Sequence, residues 1–178
     1  MLNKERKSVG SSLLLAYVVV VQPAIGAVIE GPVTNPANGH VYYLLATSSW
    51  TDAEAEAVSL GGHLATINDQ AEQDWVYDTF TAGGTIDRGL WIGLSDASFE
   101  GAFTWSSGAP VAFTFWHPLM PDNCIDEDYV HLLGGAPPDG RWNDLTNTVG
   151  VGCAVGFPLP HGVIELGGPG GTGSMSRS

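Results

Sequence analysis

The chain predicts an α+β domain, and two observations carry that prediction. Helical spacing of apolar residues is confined to an early stretch, residues 51–82, between Gly- and Pro-punctuated flanks. After Gly83-Gly84 the pattern changes to short apolar or alternating runs separated by long loops. A strand, two helices and then several strands is an α+β order.

The elements follow in turn. Residues 41–45 (Val-Tyr-Tyr-Leu-Leu) form a short apolar strand. Thr51-Asp-Ala-Glu54 has the capping-box pattern, and the helix it opens passes Ala57 and Leu60 before Gly61-Gly62 stops it. Residues 63–67 are extended. Asn68 is placed to cap a second helix with Ala71, Trp75, Val76 and Phe80 at helical spacing. Residues 90–94, 103–105, 111–116, 129–132 and 162–166 read as strands. Residues 133–161 read as mostly loop, and a loop of that length in a compact domain is usually functional or disordered.

The ends of the chain have their own character. Lys4, Arg6 and Lys7 precede a short apolar run and the small residues Ala24, Gly26 and Ala27, so residues 1–27 are expected to be a signal peptide for export. Residues 28–37 are expected to be a linker, 38–167 the domain and 168–178 a flexible Gly-rich tail. No segment of the mature chain is long and apolar enough to span a membrane. Cleavage shifts the net charge from −13 to −15, leaving 3 Lys+Arg against 18 Asp+Glu and no lysine. Nucleic acid and anionic lipid are poor partners for such a surface, and lysine-based catalysis is excluded.

The acids are concentrated. Asp122, Asp126, Glu127, Asp128 and Asp144 crowd a stretch in which Arg141 is the only cation. Like charges that close repel unless a cation lies between them, and oxygen donors without a Cys-His cluster suit Ca²⁺. The two cysteines, Cys124 and Cys153, fit an oxidising compartment. A disulfide between them would close a loop of about 30 residues, worth roughly 3–4 kcal/mol in the chain-entropy picture, and would brace the acidic stretch.

Several motifs, in this order and spacing, resemble the C-type lectin-like domain: Trp50 with the helix that follows, Gly62-His-Leu-Ala-Thr-Ile67, Trp91-Ile-Gly-Leu94, Glu100-Gly-Ala-Phe-Thr-Trp105, Trp116, Glu127-Asp128 and Trp142-Asn-Asp144. The resemblance implies two helices flanking small antiparallel sheets, topped by a long loop region that holds calcium. In that family the loop-held Ca²⁺ binds sugar, whose vicinal hydroxyls complete its coordination. By position, the family's Glu-Pro-Asn or Gln-Pro-Asp triplet falls on Met120-Pro121-Asp122, its downstream Glu on Glu127 and its Asn-Asp pair on Asn143 and Asp144. The triplet proline is usually cis in the family, and that is expected of Met120–Pro121. A second, structural Ca²⁺ site is implied at Asp96, Glu100, Asn123 and Asp128, with Glu127 near both ions.

The sequence departs from the family pattern twice. Met120 stands where the family has Glu or Gln, and a thioether is a poor ligand for a hard cation. Either Asp126 or the loop backbone compensates, or Ca²⁺ affinity is low, or sugar binding is lost. The family's disulfide positions fall on Ala57 and Ile164, and on Tyr129 and a position near Asn147, so the core must hold by packing. The tryptophans are expected in that core. His63 and His131 read as structural, while His117 adjoins the triplet loop.

No nucleophile elbow, metalloprotease helix or phosphate loop appears. A cation shared by Asp122 and Glu127 would keep both ionised, which suits neither to general-acid work. The expectation is a non-enzymatic, secreted or cell-surface module that binds a glycan or glycoprotein with Ca²⁺. The alternative is the same fold used for protein–protein adhesion or structure, with Ca²⁺ only organising the loops.

Overall fold

The computed structural model describes residues 27–134, 139–148, 156 and 158–167. The expected signal peptide (apart from Ala27), the expected tail and Cys153 lie outside them. Strand β1 (Val28–Thr34) pairs antiparallel with β2 (Val41–Thr47). This corrects the reading of residues 28–37 as a linker. Gly31-Pro32 looks like loop punctuation, but β1 is the edge strand of the sheet, where a proline costs no ladder bond.

Helix α1 (Trp50–Ser59) is capped by Ser49, whose Oγ accepts the Asp52 N–H at 3.1 Å. It starts one residue ahead of Thr51, the cap expected from the sequence. Helix α2 (Gln70–Thr81) is capped by Asp69, which accepts the Glu72 N–H at 2.9 Å. Asn68, also expected as a cap, instead donates its backbone and side-chain N–H groups to the Glu72 carboxylate.

Strands β3 (His63–Leu64), β4 (Leu90–Ser95), β5 (Thr104–Trp105), β6 (Tyr129–Leu132), β7 (Trp142–Leu145) and β8 (His161–Leu166) complete the sheet. Its order is β1-β2-β8-β4-β6-β7, with β3 added on β8 and β5 on β4. Every pair is antiparallel except β4 with β8, which is parallel. Two local expectations differ. Residues 111–116 form no extended strand and make a single bridge, Trp116 to Trp142. Strand β7 lies inside the stretch expected to be mostly loop, paired along its length with β6.

The apolar core has two parts. One packs α2 (Val76, Tyr77, Phe80) against Leu90, Ile92, Leu94 and Trp142. The other packs α1 (Trp50, Ala53, Ala57) against Leu64, Trp91, Leu145 and Ile164. Ala57 and Ile164, the positions of the family's long disulfide, are both fully buried in this second part. On one side of the core, the buried carboxylates of Glu72 and Glu165 share the Tyr42 hydroxyl, at 2.6 and 3.3 Å. His40 Nδ1 contacts Glu165, and Asn38 donates to Glu72 at 3.0 Å. This network ties α2, β2 and β8 together with polar contacts where no covalent staple exists.

Gly93, at the centre of the Trp-Ile-Gly-Leu strand, lies under a close crossing. A Cβ there would sit 2.6 Å from the Leu64 carbonyl oxygen and 2.8 Å from Ser106 Oγ. Gly93→Ala is therefore expected to cost roughly 1–3 kcal/mol, as overpacking does, seen as a lower urea midpoint. An unchanged midpoint would mean that the chain crossing at Gly93 is looser than described.

Candidate metal and ligand site

The site is built around edge strand β7, whose residues alternate between two sides. Trp142 is fully buried with rings of Trp105, Phe113 and Trp116 edge-on at 5.8 Å. Its indole N–H donates to Gln73 Oε1 at 2.7 Å, and Gln73 Nε2 donates to the Gly140 carbonyl at 2.9 Å. Helix α2 thereby fixes the start of β7. Two residues on, the fully buried Asp144 carboxylate accepts the Asp122 N–H at 3.2 Å and the Asn123 N–H at 2.8 Å.

The loop from Leu119 to Asp126 is shaped by these bonds. Asn123 Oδ1 accepts the Glu127 N–H at 2.8 Å, and the Glu127 carboxylate accepts the Cys124 N–H at 3.2 Å. Leu119, Asn123, Ile125 and Asp126 all have positive φ, which is uncommon for residues with a side chain and marks a tightly specified loop. The Met120–Pro121 peptide is cis, as expected. Leu119 and Ile125 are 91% and 70% exposed, so the loop presents apolar side chains outward among its acids.

Three carboxylates converge. Asp122, Glu127 and Asp144 bring oxygens within 4.8 Å of one another. Beside them opens a cavity of about 250 Å³ lined by His117, Met120, His131, Leu133, Asn143 and Leu145 with Asp122 and Glu127. A second group forms from Glu100, Asp126 and Asp128, again within 4.8 Å. Asp96 adjoins it: its N–H donates to the Asp128 carbonyl, and its buried Oδ1 has no hydrogen-bond partner among the described residues. Asn123, also placed at this site by sequence, uses its Oδ1 to hold Glu127 and donates to Glu100. Asp126 belongs to this second group and not to the Asp122 group, so it does not stand in for Met120.

The two arginines among the described residues are engaged elsewhere. Arg141 pairs with Asp139 at 3.2 Å and stacks on Phe115, and Arg88 lies 3.9 Å from Glu30. Among the described residues the carboxylate repulsion is thus not relieved by a lysine or arginine side chain. Burial, with the Asp144 and Asp122 charges beside it, pushes the Glu127 carboxyl up to about 7. Burial also raises Asp144, and raises Asp128 with help from Asp126 and Asp96. Oxygen donors that repel one another this way, with an orphaned buried carboxylate oxygen at Asp96, fit a hard divalent cation such as Ca²⁺.

A model of the lectin C-type domain family matches residues 46–152. The chain belongs to that family. It is 39% identical to C-type mannose receptor 2 of Homo sapiens over 116 residues, 64% of this chain but only 7% of that receptor's length. It is 37% identical to the alpha-N-acetylgalactosamine-specific lectin of Patiria pectinifera over 114 residues, 61% of this chain and 68% of that one. Among solved structures, the C-type lectin CEL-I from Cucumaria echinata superposes with a TM-score of 0.60 at 26% identity, covering 82% of this chain and 96% of that one. A calcium-independent type II antifreeze protein superposes almost as well, with a TM-score of 0.58 at 26% identity over 82% and 93% of the two chains. The lectin C-type fold thus serves both lectins and proteins that are not lectins, and this chain is a non-catalytic module of that family.

Of the residues expected from the sequence, the structure brings Asp122, Glu127 and Asp144 together and sets Asn143 and His117 on the cavity wall. His131, expected to be structural, is buried in β6 and also lines the cavity beside its cross-strand partner Asn143. The sequence carries no signal for that contact, which depends on the register of β6 against β7. Cys124 is not free, and its expected partner Cys153 lies outside the described residues.

The raised carboxyls set a pH dependence. A carboxyl whose folded pKa exceeds its unfolded value contributes stability that is complete below the unfolded pKa and is lost as pH rises through the folded one. In chelating buffer the domain is expected to lose stability as pH rises from about 4.5 past about 7, the window of Glu127. Glu127→Gln should flatten the trend. Melting temperatures measured across that range check it, and a flat or rising profile in the wild type would show that the carboxylates are not held this close.

Proposed function

We propose that the chain is an exported, Ca²⁺-dependent carbohydrate-binding module. In this reading Asp122, Glu127, Asn143 and Asp144 hold the cation that meets the sugar. Asp96, Glu100 and Asp128, joined by Asp126 and steadied by Asn123, hold a second cation that organises the loop. The observation that carries the reading is the convergence of Asp122, Glu127 and Asp144 at the edge of an open cavity. Ca²⁺ takes six to eight oxygens, so a set this small leaves coordination positions for a ligand's hydroxyls. The likeness to a lectin named for alpha-N-acetylgalactosamine supports a sugar as that ligand.

Export is part of the same proposal. It rests on the sequence of residues 1–27, which falls almost wholly outside the described residues, and among the described residues no helix is long and apolar enough to cross a membrane. The disulfide between Cys124 and Cys153 belongs to the proposal too, since it would tether the Asp122–Glu127 loop.

A second reading has a specific observation behind it. Met120 lines the cavity where the family's triplet has an oxygen donor, and the likeness to a calcium-independent antifreeze protein shows that this fold also works without the ion. On that reading the module contacts a protein or another surface, and Ca²⁺ at most stiffens the loops. A glycan array probed with Ca²⁺ and with chelator separates the two: signal only with Ca²⁺ supports the first, silence in both the second.

Ca²⁺ is expected to raise the melting temperature. With a Kd near 10⁻⁴–10⁻³ M, as in extracellular modules, 5 mM Ca²⁺ adds roughly 1–2 kcal/mol to the native state. Asp144→Ala combined with Glu127→Ala should abolish the shift, and identical melting in Ca²⁺ and chelator for the wild type would refute the metal site.

Met120→Gln adds a ligand oxygen and a hydrogen-bonding partner, worth roughly 1–3 kcal/mol or one to two decades in affinity. Calorimetric titration with Ca²⁺ and then galactose should show tighter binding of both. No gain in either would mean that position 120 does not face the cation.

A further inference from the structure

We propose that the ligand of the carboxylate site is amphipathic: a sugar carrying a neutral alkyl chain, with the chain laid in a second cavity that adjoins the first. The inference rests on the sugar-and-cation reading above and names the class of ligand. The second cavity, of about 210 Å³, is bordered by Gly89, Pro158 and Pro160. It shares His131, Leu133 and Leu145 with the first cavity of about 250 Å³, so the two spaces meet at a common wall. Strand register explains the adjacency. His131 of β6 pairs with Asn143 of β7 and Tyr129 with Leu145, and side chains two apart share one side of a strand. Leu133 continues β6, its N–H donating to the Arg141 carbonyl at 2.8 Å. The first cavity lies toward the acidic loop, where Met120, Asp122 and Glu127 border it. The second lies toward the starts of β4 and β8, where the His161 N–H donates to the Gly89 carbonyl at 2.9 Å.

The chemistry of the walls selects the occupant. Leu133, Leu145, Pro158 and Pro160 offer no side-chain hydrogen bond, so a second sugar ring would leave hydroxyls unpaired there, at a cost in affinity. An alkyl chain loses nothing in such a space and gains by the area removed from water. Two polar side chains border it. His131 is 5% exposed, and its Nδ1 is buried without a hydrogen-bond partner among the described residues, on the side where a Cβ at Gly89 would come within 3.1 Å of it. That nitrogen suits a single polar atom at the base of the chain, such as the oxygen joining it to the sugar. Asp87 also lines the cavity, and its charge disfavours a chain that ends in a carboxylate. The occupant is therefore the chain of a neutral alkyl glycoside and not a free fatty acid.

Two measurements on the full chain test this. In chelator, methyl NMR with hexanol as the probe should shift the Leu133 and Leu145 signals while Leu44 and Leu94, buried in the core, stay in place. Unshifted Leu133 and Leu145 methyls overturn the proposal. In Ca²⁺, calorimetry compares methyl and octyl glycosides of galactose, mannose and N-acetylgalactosamine, kept below micelle-forming concentrations. The octyl form of whichever sugar binds should be held roughly ten- to a hundredfold tighter, since two buried CH₂ groups are worth about tenfold. Pro158 is exposed and lines only the second cavity, so Pro158→Trp should erase that gain and leave the methyl glycoside's affinity unchanged. Equal affinity for the octyl and methyl forms, or a gain that survives Pro158→Trp, overturns the proposal. Should no methyl glycoside bind with Ca²⁺, the sugar-and-cation reading fails by itself, and the hexanol shifts still decide whether the second cavity takes an alkyl chain.

Discussion

The loop that carries the acids has almost no regular structure of its own, and its shape depends on where one carboxylate is buried. Asp144 is fully buried, a costly state for a charge unless hydrogen bonds replace the lost water. The replacements are the amides of Asp122 and Asn123, so satisfying Asp144 and folding the loop are one event. Asp144 in turn has no freedom of position. Trp142, on the same side of β7, is clamped by three aromatic rings and by Gln73 of helix α2. The chain of dependence runs from α2 through an indole to a carboxylate to the backbone of a loop far away in sequence. Nothing in it relies on attraction among the acids themselves, which repel.

That arrangement explains how the domain dispenses with disulfides at the family's usual positions. Ala57 and Ile164 are packed in the second part of the core, so dispersion and burial hold α1 to β8. Tyr129 stacks on Trp50 at 4.9 Å, joining β6 to the start of α1 by an aromatic contact. At the ends of β2 and β8, the two buried carboxylates Glu72 and Glu165 are tied through Tyr42 and His40, with the Thr66 N–H donating to Glu165 at 2.9 Å. A network of that kind is tolerated in a core because each oxygen finds a donor. The staples have been replaced by contacts that must all form together.

The long-range part of this was legible in the sequence where chemistry is local, and illegible where it is not. Trp-Ile-Gly-Leu announces a buried strand, and the Asp/Glu-rich stretch announces crowded carboxylates, because composition alone carries those signals. Strand β7 was hidden because Trp-Asn-Asp-Leu has two polar residues out of four, and its pairing with β6 is what makes it a strand. Strand β1 was hidden by Gly31-Pro32, which an edge position tolerates. Asp126 could not be assigned from spacing: it lies beside Glu127 in sequence, yet a run of positive-φ residues turns its side chain to Glu100 and Asp128. His131 was legible as a strand residue but not as a neighbour of Asn143, since register across two strands is not written in either one.

The cavity beside the carboxylates has a mixed lining. It combines oxygens, in Asp122, Glu127 and Asn143, with apolar atoms, in Met120, Leu133 and Leu145. A bound cation would fix the polar half of a ligand by coordination, with geometry set by β7 and the loop amides. The apolar half has no such directionality and selects by area and shape. On the proposed reading, a sugar, with hydroxyls along its edge and C–H groups on its face, would meet both kinds of lining. Seen this way, Met120 shifts the balance of the site from coordination toward apolar contact. That shift leaves Asp122, Glu127 and the buried Asp144 still convergent.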